Sequence, residues 1–463
     1  MDYLGGKYMS ENKEQTARGV ENILLITVDS LRYDLTLTSN PQLSAIEELS
    51  EDGVVFEHAY STGPGTTPSF PAMLTGTLPL SYGGLGPLSD ERPRVASNLR
   101  DAGLITGGFQ SNPFLSRHFN YDVGFDTFED YQNPLMGIAT RIFPRGIELS
   151  NPRLRKLDEA FHLTDAIKKT YELVKGKPRP YVNAETITTD AINWLNDVDD
   201  PFFGWVHYMD VHHPCYPPEQ YRAQFGVAKI SQTEVSEWYS QLLTQPNTLS
   251  EDEIDSLRRL YDAAVLYTDD QINRLLKKLH KMDRYEDTLI VYTSDHGELF
   301  GEYDGYGKPE RMHDELLHIP LHIVNGPESI SKSSDELVSL LDIPPLIHNA
   351  IGQTPPNRYE GEELNDDSER EYIIAEHEVN GEVIVGARSK DWLFEVDEIR
   401  DENRLFDLGN GDFREVDLKS HPASKDIRQA VLNRLSNLDV NTHQLEGKVE
   451  GDVQDRLEDL GYL

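Results

Sequence analysis

The residues whose types and spacing could do chemistry gather in three short stretches. Gly65-Thr66-Thr67-Pro68-Ser69-Phe70-Pro71-Ala72-Met73-Leu74-Thr75-Gly76 places hydroxyls in a tight, Pro-rich turn at the mouth of a predicted helix, and Thr66 is the candidate nucleophile. Tyr292-Thr293-Ser294-Asp295-His296-Gly297-Glu298 sets a carboxylate beside an imidazole at the end of a predicted strand, with Gly297 relieving the turn that follows. A hard or borderline divalent cation accepts oxygen ligands together with one imidazole. Asp29, directly after the first apolar run, supplies another oxygen. Taken alone, Asp295-His296 also fits a helix N-cap followed by a surface histidine.

To bring such groups together the chain needs strands whose ends meet. Asn22-Ile23-Leu24-Leu25-Ile26-Thr27-Val28 is an almost continuous apolar run, the pattern of a strand buried on both faces, and it stops at Asp29. Pro41 to Gly53 carries Leu43, Ile46 and Leu49 on one side, which predicts an amphipathic helix with a Pro start signal and a Gly stop signal. Ile187, Ala191, Trp194 and Leu195 form a second helical stripe ahead of the apolar run Phe202 to Val206. Ser250 with Glu253 is a capping-box signature opening a long helix through Ile254, Leu257, Leu260, Tyr261 and Ala264 towards Leu279. A third strand, Thr288 to Thr293, leads to Asp295.

Alternating strands and helices predict an α/β fold with a mostly parallel central sheet sandwiched by helices. Ligands of such sheets bind beyond the carboxyl ends of the strands. Asp29, His207, Asp210 and Asp295 all lie at or just after predicted strand ends, so distant parts of the chain converge on one rim. Residues 1–20 read as a flexible arm and 21–350 as one large domain. The more polar, turn-rich texture of 351–463 reads as a small C-terminal antiparallel-sheet and helix domain, with strands at Tyr372 to Ala375 and Val383 to Gly386 and a helix near Lys425 to Leu438.

The 81 acidic residues against 43 Lys plus Arg give a formal charge of −38 spread along the chain, which disfavours nucleic acid and anionic membrane surfaces as partners. Such a surface suits solubility at high salt, where screening removes most of the self-repulsion. The single cysteine, Cys215, rules out an internal disulfide framework and a Cys-rich metal site, and is read as inert. Met1 to Gly19 lacks the apolar core of a signal peptide, and no run approaches the ~18 apolar residues of a membrane span. A cytoplasmic location is the expectation.

The order Asp29, Thr66-x-Pro-Ser, Asp295-His296-Gly297 resembles the sulfatase branch of the alkaline phosphatase superfamily. The Thr66 stretch is similar to that family's signature C/S-x-P-S-R followed by x-x-x-L-T-G, with Thr66 at the modifiable Cys or Ser and Phe70 at the Arg. Further similarity covers Val28 to Arg32, Tyr261 to Ile272, Leu316 to Leu321, Arg404 to Leu408 and the terminal Leu460-Gly461-Tyr462-Leu463. The resemblance implies one divalent metal ion, Ca, Mg, Mn or Zn, bound by Asp29, Asp295 and His296, with the Thr66 hydroxyl at or next to it. Ser30 stands where sulfatases usually have a second carboxylate.

The segment His207 to Pro214 resembles the family's Asp-Pro-His-x-Pro-Tyr stretch and puts His212 at the substrate-facing position, where it would bond the anionic ester or protonate the leaving oxygen. His207 is a further substrate-side candidate, with a structural role as its alternative; His213 is read as structural or surface. Asp210 is followed by His at two and three positions rather than four, which favours one metal over two. Lys308 matches the family's substrate-contacting Lys, with His313 as the alternative cation. Asn112 either donates to an ester oxygen or holds the turn before Pro113.

Sulfatases oxidise their Cys or Ser to formylglycine, whose hydrate attacks sulfur and then expels sulfate as it returns to the aldehyde. Thr66 cannot give that aldehyde by the known route, so no formylglycine is expected. A sulfated threonine would need water attack at sulfur, whereas phospho-threonine intermediates turn over in phosphatases and phosphodiesterases of the superfamily. The expected function is a metal-dependent hydrolase of phosphate or sulfate esters working through a covalent Thr66 intermediate. A phospho-alcohol transferase and a catalytically degenerate binding protein of the same fold are the alternatives. The substrate would be a small anionic ester, carried on a glycan or a lipid head group.

Overall fold

A computed structural model describes residues 19–38, 43–131, 181–330, 333–364, 370–409, 414–418 and 424–438. The expected N-terminal arm up to residue 18, the helix start at Pro41 and the Leu460 to Leu463 motif lie outside the described residues.

Fifteen strands are described: β1 (Asn22–Val28), β2 (Gly53–Tyr60), β3 (Ile105–Phe109), β4 (Thr127–Glu129), β5 (Phe202–Tyr208), β6 (Thr288–Ser294), β7 (Leu299–Phe300), β8 (Tyr306–Gly307), β9 (Leu321–Val324), β10 (Ser333–Ser339), β11 (Ile373–Val379), β12 (Glu382–Arg388), β13 (Trp392–Asp397), β14 (Glu402–Asp407) and β15 (Arg414–Val416). Eight of them form the central sheet in the order β10-β2-β9-β6-β1-β5-β3-β4. Only β9 runs against its neighbours β2 and β6.

Strand β1 lies inside this sheet with all seven residues buried. Its alternating side chains feed two cores. Leu24, Ile26 and Val28 join the cluster that includes residues of helices Ser44–Asp52, Ala184–Asp197 and Glu251–Lys281. Ile23 and Leu25 join the opposite cluster, with residues of helices Thr66–Thr75, Val95–Asp101 and Ile343–Ala350. A strand apolar on both faces therefore requires helices on both, and has them.

The parallel register pairs Val28 with Tyr208 on β5 and with Ser294 on β6. One residue further on, Asp29 and Asp295 leave adjacent strands at the same edge. The Ser250–Glu253 capping box is present, and its helix runs from Glu251 to Lys281. Gly53 ends the helix Ser44–Asp52, as its stop signal predicts, and at the same time opens β2.

The second sheet is an antiparallel meander, β11-β12-β13-β14-β15. One face packs Ile384, Leu393 and Phe406 against Tyr60, Met312 and Leu317 of the larger body. On the other, Val385, Ala387, Phe394 and Leu405 meet Ile427 and Val431 of helix Ser424–Asn437. No helix among the described residues is long and apolar enough to cross a membrane.

Candidate active site

Thr66 is the first residue of the helix Thr66–Thr75 and is almost wholly buried. Short side chains shape the approach to it by bonding to the local backbone. Ser69 Oγ donates to Gly65 O at 2.6 Å, Ser61 Oγ to Gly63 O at 2.9 Å, and Thr62 Oγ1 to Pro68 O at 2.9 Å. The helix N-terminus then presents Thr66 to the carboxyl edge of the sheet.

There the Thr66 hydroxyl donates to Asp29 Oδ2 at 3.3 Å and lies 3.4 Å from His296 Nε2. Asp29, Asp295 and His296 are completely buried, and one ligand atom from each lies within 4.8 Å of the others. His296 Nδ1 donates to Gly297 O at 2.7 Å, so its Nε2 is the unprotonated nitrogen facing the two carboxylates. Nε2 stands 3.7 Å from Asp29 Oδ1 and 3.5 Å from Asp295 Oδ2. Gly297 is needed for this turn, because a Cβ there would lie 1.9 Å from Glu315 O.

Two buried carboxylates and an imidazole lone pair aimed at one another repel unless a positive charge lies among them. Asp295 Oδ2 has no hydrogen-bond partner among the described residues. This donor set of oxygens and one nitrogen fits a divalent cation. The side-chain charges point the same way. Burial and the Asp29 charge push the Asp295 carboxyl well above its usual range. Burial also works against the Asp29 carboxylate, but a hydrogen bond from His207 and the Lys308 ammonium hold it well below that range. Burial and Lys308 hold the His296 imidazole down at about 3, so it stays neutral.

Ser30 occupies the place of the family's second carboxylate and acts on the two aspartates instead. Its hydroxyl donates to Asp29 Oδ1 at 2.8 Å and its N–H to Asp295 Oδ1 at 3.1 Å. Asn112 holds the turn before Pro113 and also reaches the site: Oδ1 accepts from Phe114 N at 3.0 Å, while Nδ2 donates to Asp29 Oδ2 at 2.9 Å and lies 3.5 Å from Thr66 Oγ1.

His212 is buried, with Nδ1 donating to His213 O at 2.5 Å, which leaves Nε2 to accept from Lys308 Nζ at 2.6 Å. Burial and the Lys308 ammonium keep this imidazole neutral. His207 is completely buried and sits beside Asp29. Thr27 Oγ1 accepts from Trp205 Nε1 at 3.0 Å and gives its own hydrogen to His207 Nδ1 at 2.9 Å, so His207 Nε2–H faces Asp29 Oδ2 at 3.5 Å. His313 lies in another setting: it precedes the short helix Asp314–Leu317, stacks on Tyr303 with centroids 4.4 Å apart, and has Arg404, Arg311 and Arg400 as its charged neighbours.

Three other sequence readings take definite form. Phe70 is completely buried with its ring centroid 4.9 Å from that of His207 and 5.5 Å from that of Trp205, an apolar floor where the family signature has an Arg. Asp210 accepts from Ala184 N at 2.6 Å, at the start of helix Ala184–Asp197. Cys215 is buried, its Sγ donates to Val211 O at 3.1 Å, and burial pushes the thiol well up.

Sequence reasoning overlooked Glu298, whose Oε1 pairs with His213 Nδ1 at 2.9 Å behind His212, and Ser294, whose hydroxyl accepts from Leu31 N at 3.0 Å between the two aspartate turns. The sole signal for Glu298 was its place three residues after Asp295.

A mostly parallel α/β sheet with Asp29, a helix-opening hydroxyl and Asp295-His296 on one edge defines an alkaline-phosphatase-like protein. The sulfatase family model matches residues 21–352, and the chain belongs to the sulfatase family. It is similar to arylsulfatase K of Mus musculus, 24% identical over 383 residues that cover 75% of this chain and 64% of that protein. The chain thus spans about two thirds of that relative's length. Among solved structures, it is similar in fold to a phosphonate monoester hydrolase from Silicibacter pomeroyi, with a TM-score of 0.67, 23% identity and coverage of 90% of this chain and 96% of that one. A structure in complex with its substrate D-glucosamine-2-N,6-O-disulfate gives a TM-score of 0.66 at 17% identity, covering 92% of this chain and 99% of that one.

Proposed function

We propose that this protein is a metal-dependent ester hydrolase in which Thr66 attacks the phosphorus or sulfur of a small anionic ester. The observation that carries the reading is the position of the Thr66 hydroxyl, 3.3 Å from Asp29 Oδ2 and 3.4 Å from His296 Nε2. A divalent ion held by Asp29, Asp295 and His296 supplies, when bound, charge withdrawal from the nucleophile and the ester oxygens.

The chain's own groups do the rest. Asp29 accepts the Thr66 hydrogen bond, orients the hydroxyl oxygen and takes its proton as the oxygen bonds to phosphorus. Asn112 Nδ2, beside Thr66, donates to a non-bridging ester oxygen. The Lys308–His212 pair neutralises the anion and gives a proton to the departing alcohol as the bond from phosphorus to that oxygen breaks. Water then attacks the threonyl ester and returns a proton to the Lys308–His212 pair, the bond to Thr66 Oγ1 breaks, and the proton held by Asp29 restores the hydroxyl.

Threonine favours phosphorus over sulfur on chemical grounds, since a threonyl sulfate has no aldehyde to collapse to. Fold neighbours with phosphonate and with sulfated-sugar substrates both fit a compact anionic ester, on a glycan or another alcohol. The test is turnover of nitrophenyl phosphate, phosphodiester, phosphonate and sulfate substrates with Mn, Mg, Ca or Zn. Activity on the phosphorus esters that requires one of these ions supports the reading. A protein whose melting temperature rises with the ion but which turns over none of the substrates is a binding protein instead.

A further inference from the structure

The helix that carries Thr66 is gripped from the second sheet at both ends. Glu376 on β11 is completely buried, and its N–H donates to Thr62 O at 2.8 Å, four residues before Thr66. Its carboxylate Oε2 accepts from Leu80 N at 3.0 Å, beyond the far end of the helix. The stretch between these anchors is packed without slack: a Cβ on Gly63 would lie 2.6 Å from Glu376 O. Thr62 Oγ1, bonded to Pro68 O, carries the hold into the first turn.

Arg434, from helix Ser424–Asn437, locks that carboxylate. Its Nε donates to Glu376 Oε1, its Nη2 lies 3.2 Å from Oε2, and Nη2 also reaches Ser81 Oγ at 3.0 Å. Glu360 adds a parallel grip on the far end, with N–H to Gly76 O at 2.7 Å and Oε2 accepting from Leu78 N at 2.5 Å. A buried carboxylate needs such a partner. Charge-assisted bonds to backbone N–H groups and a forked guanidinium are its strongest satisfaction, and losing the guanidinium leaves an uncompensated buried charge.

We infer that Glu376, fixed by Arg434, is a positioning residue for Thr66, so that the second sheet and its helix set the aim of the nucleophile. This rests on the proposed role of Thr66. Misplacement of a reacting group by about 1 Å costs on the order of 100-fold in rate, so a modest relaxation of the Thr62 and Leu80 anchors is felt in kcat. Asp29, Asp295 and His296 hang from β1 and β6, and do not depend on this grip.

The experiment compares the full-length parent with Arg434→Met, Arg434→Lys and Thr66→Ala, reading kcat and KM on nitrophenyl phosphate, folded fraction by circular dichroism, and Mn affinity by its effect on melting temperature. Arg434→Met is expected to lower kcat at least about tenfold at unchanged KM, Mn affinity and folded fraction, and Arg434→Lys to recover part of that loss. If Arg434→Met does not fold, Arg434→Lys decides: it keeps the charge but loses the fork, and a several-fold fall in kcat at unchanged KM is expected. Parent-like kcat per folded molecule in the folded variants overturns the inference, as does an equal loss of kcat and Mn affinity. Parent-like turnover by Thr66→Ala removes instead the reading on which the inference rests.

Discussion

The Thr66 hydroxyl lies 3.3 Å from Asp29 Oδ2, although 37 positions separate the two residues and they reach the site from a helix start and a strand end. The helix places a hydroxyl, the strand a carboxylate, and neither element needs the other in order to form locally. Their meeting beside Asp295 and His296 is what turns a buried polar cluster into a candidate active site.

Metal removal comes first. Because the cluster sets two carboxylates against one imidazole lone pair, an ion that binds the folded state should stabilise it by about 2.7 kcal/mol at a concentration of 100 Kd. Chelation should lower the melting temperature and re-addition restore it, as read by calorimetry; an unchanged melting temperature in chelator would contradict a cation site.

Ser30 is expected to matter for affinity rather than chemistry. Ser30→Ala deletes the hydroxyl that holds Asp29 Oδ1, and loss of such an outer partner commonly costs about 10-fold to 100-fold in metal affinity. Titration with the activating ion should show weaker binding, with kcat largely recovered at saturating metal.

Phe70 is a packing residue where the signature Arg would stand. Phe70→Ala should destabilise by about 3–5 kcal/mol, measured by urea unfolding, because it opens a cavity beneath His207 and Trp205. Phe70→Arg should be no remedy: it buries a cation in an aromatic floor. A Phe70→Arg protein as stable as the parent would show that the floor accommodates charge.

Acid sensitivity follows from histidines away from the site. Burial pushes both His322 and His377 down to about 4, against about 6.5 in the unfolded chain. Between these values the unfolded state binds more protons, so their contribution is complete above pH 6.5 and is lost as pH falls towards 4. His322→Gln should flatten the pH dependence of unfolding in that window by up to about 1.4 kcal/mol per pH unit; an unchanged slope would contradict the assignment.

The large charge excess also makes a salt response expected. Melting temperature should rise as salt screens the −38 formal charge.

Sequence reading reached the edge of the sheet but not the far side of the site. Asp29 and Asp295 were legible because an apolar run that ends in a carboxylate marks a buried strand meeting solvent or ligand, and because parallel pairing aligns such ends. Thr66 was legible from its Pro-rich helix start. Glu376 and Arg434 were invisible: their meaning lies in contacts with Thr62, Leu80 and Ser81 hundreds of positions away, and a lone charge in a strand or helix pattern reads as a solvated face. Glu298 was hidden for the same reason, since its partner His213 comes from another strand end.

The role of Thr66 as nucleophile is tested most directly by kcat/KM of Thr66→Ala on a phosphorus ester under saturating metal. Loss of an attacking group from a covalent mechanism should reduce it by at least about 10³-fold, with the folded fraction and metal-induced stabilisation retained. Turnover by Thr66→Ala at the parent's rate would contradict that role.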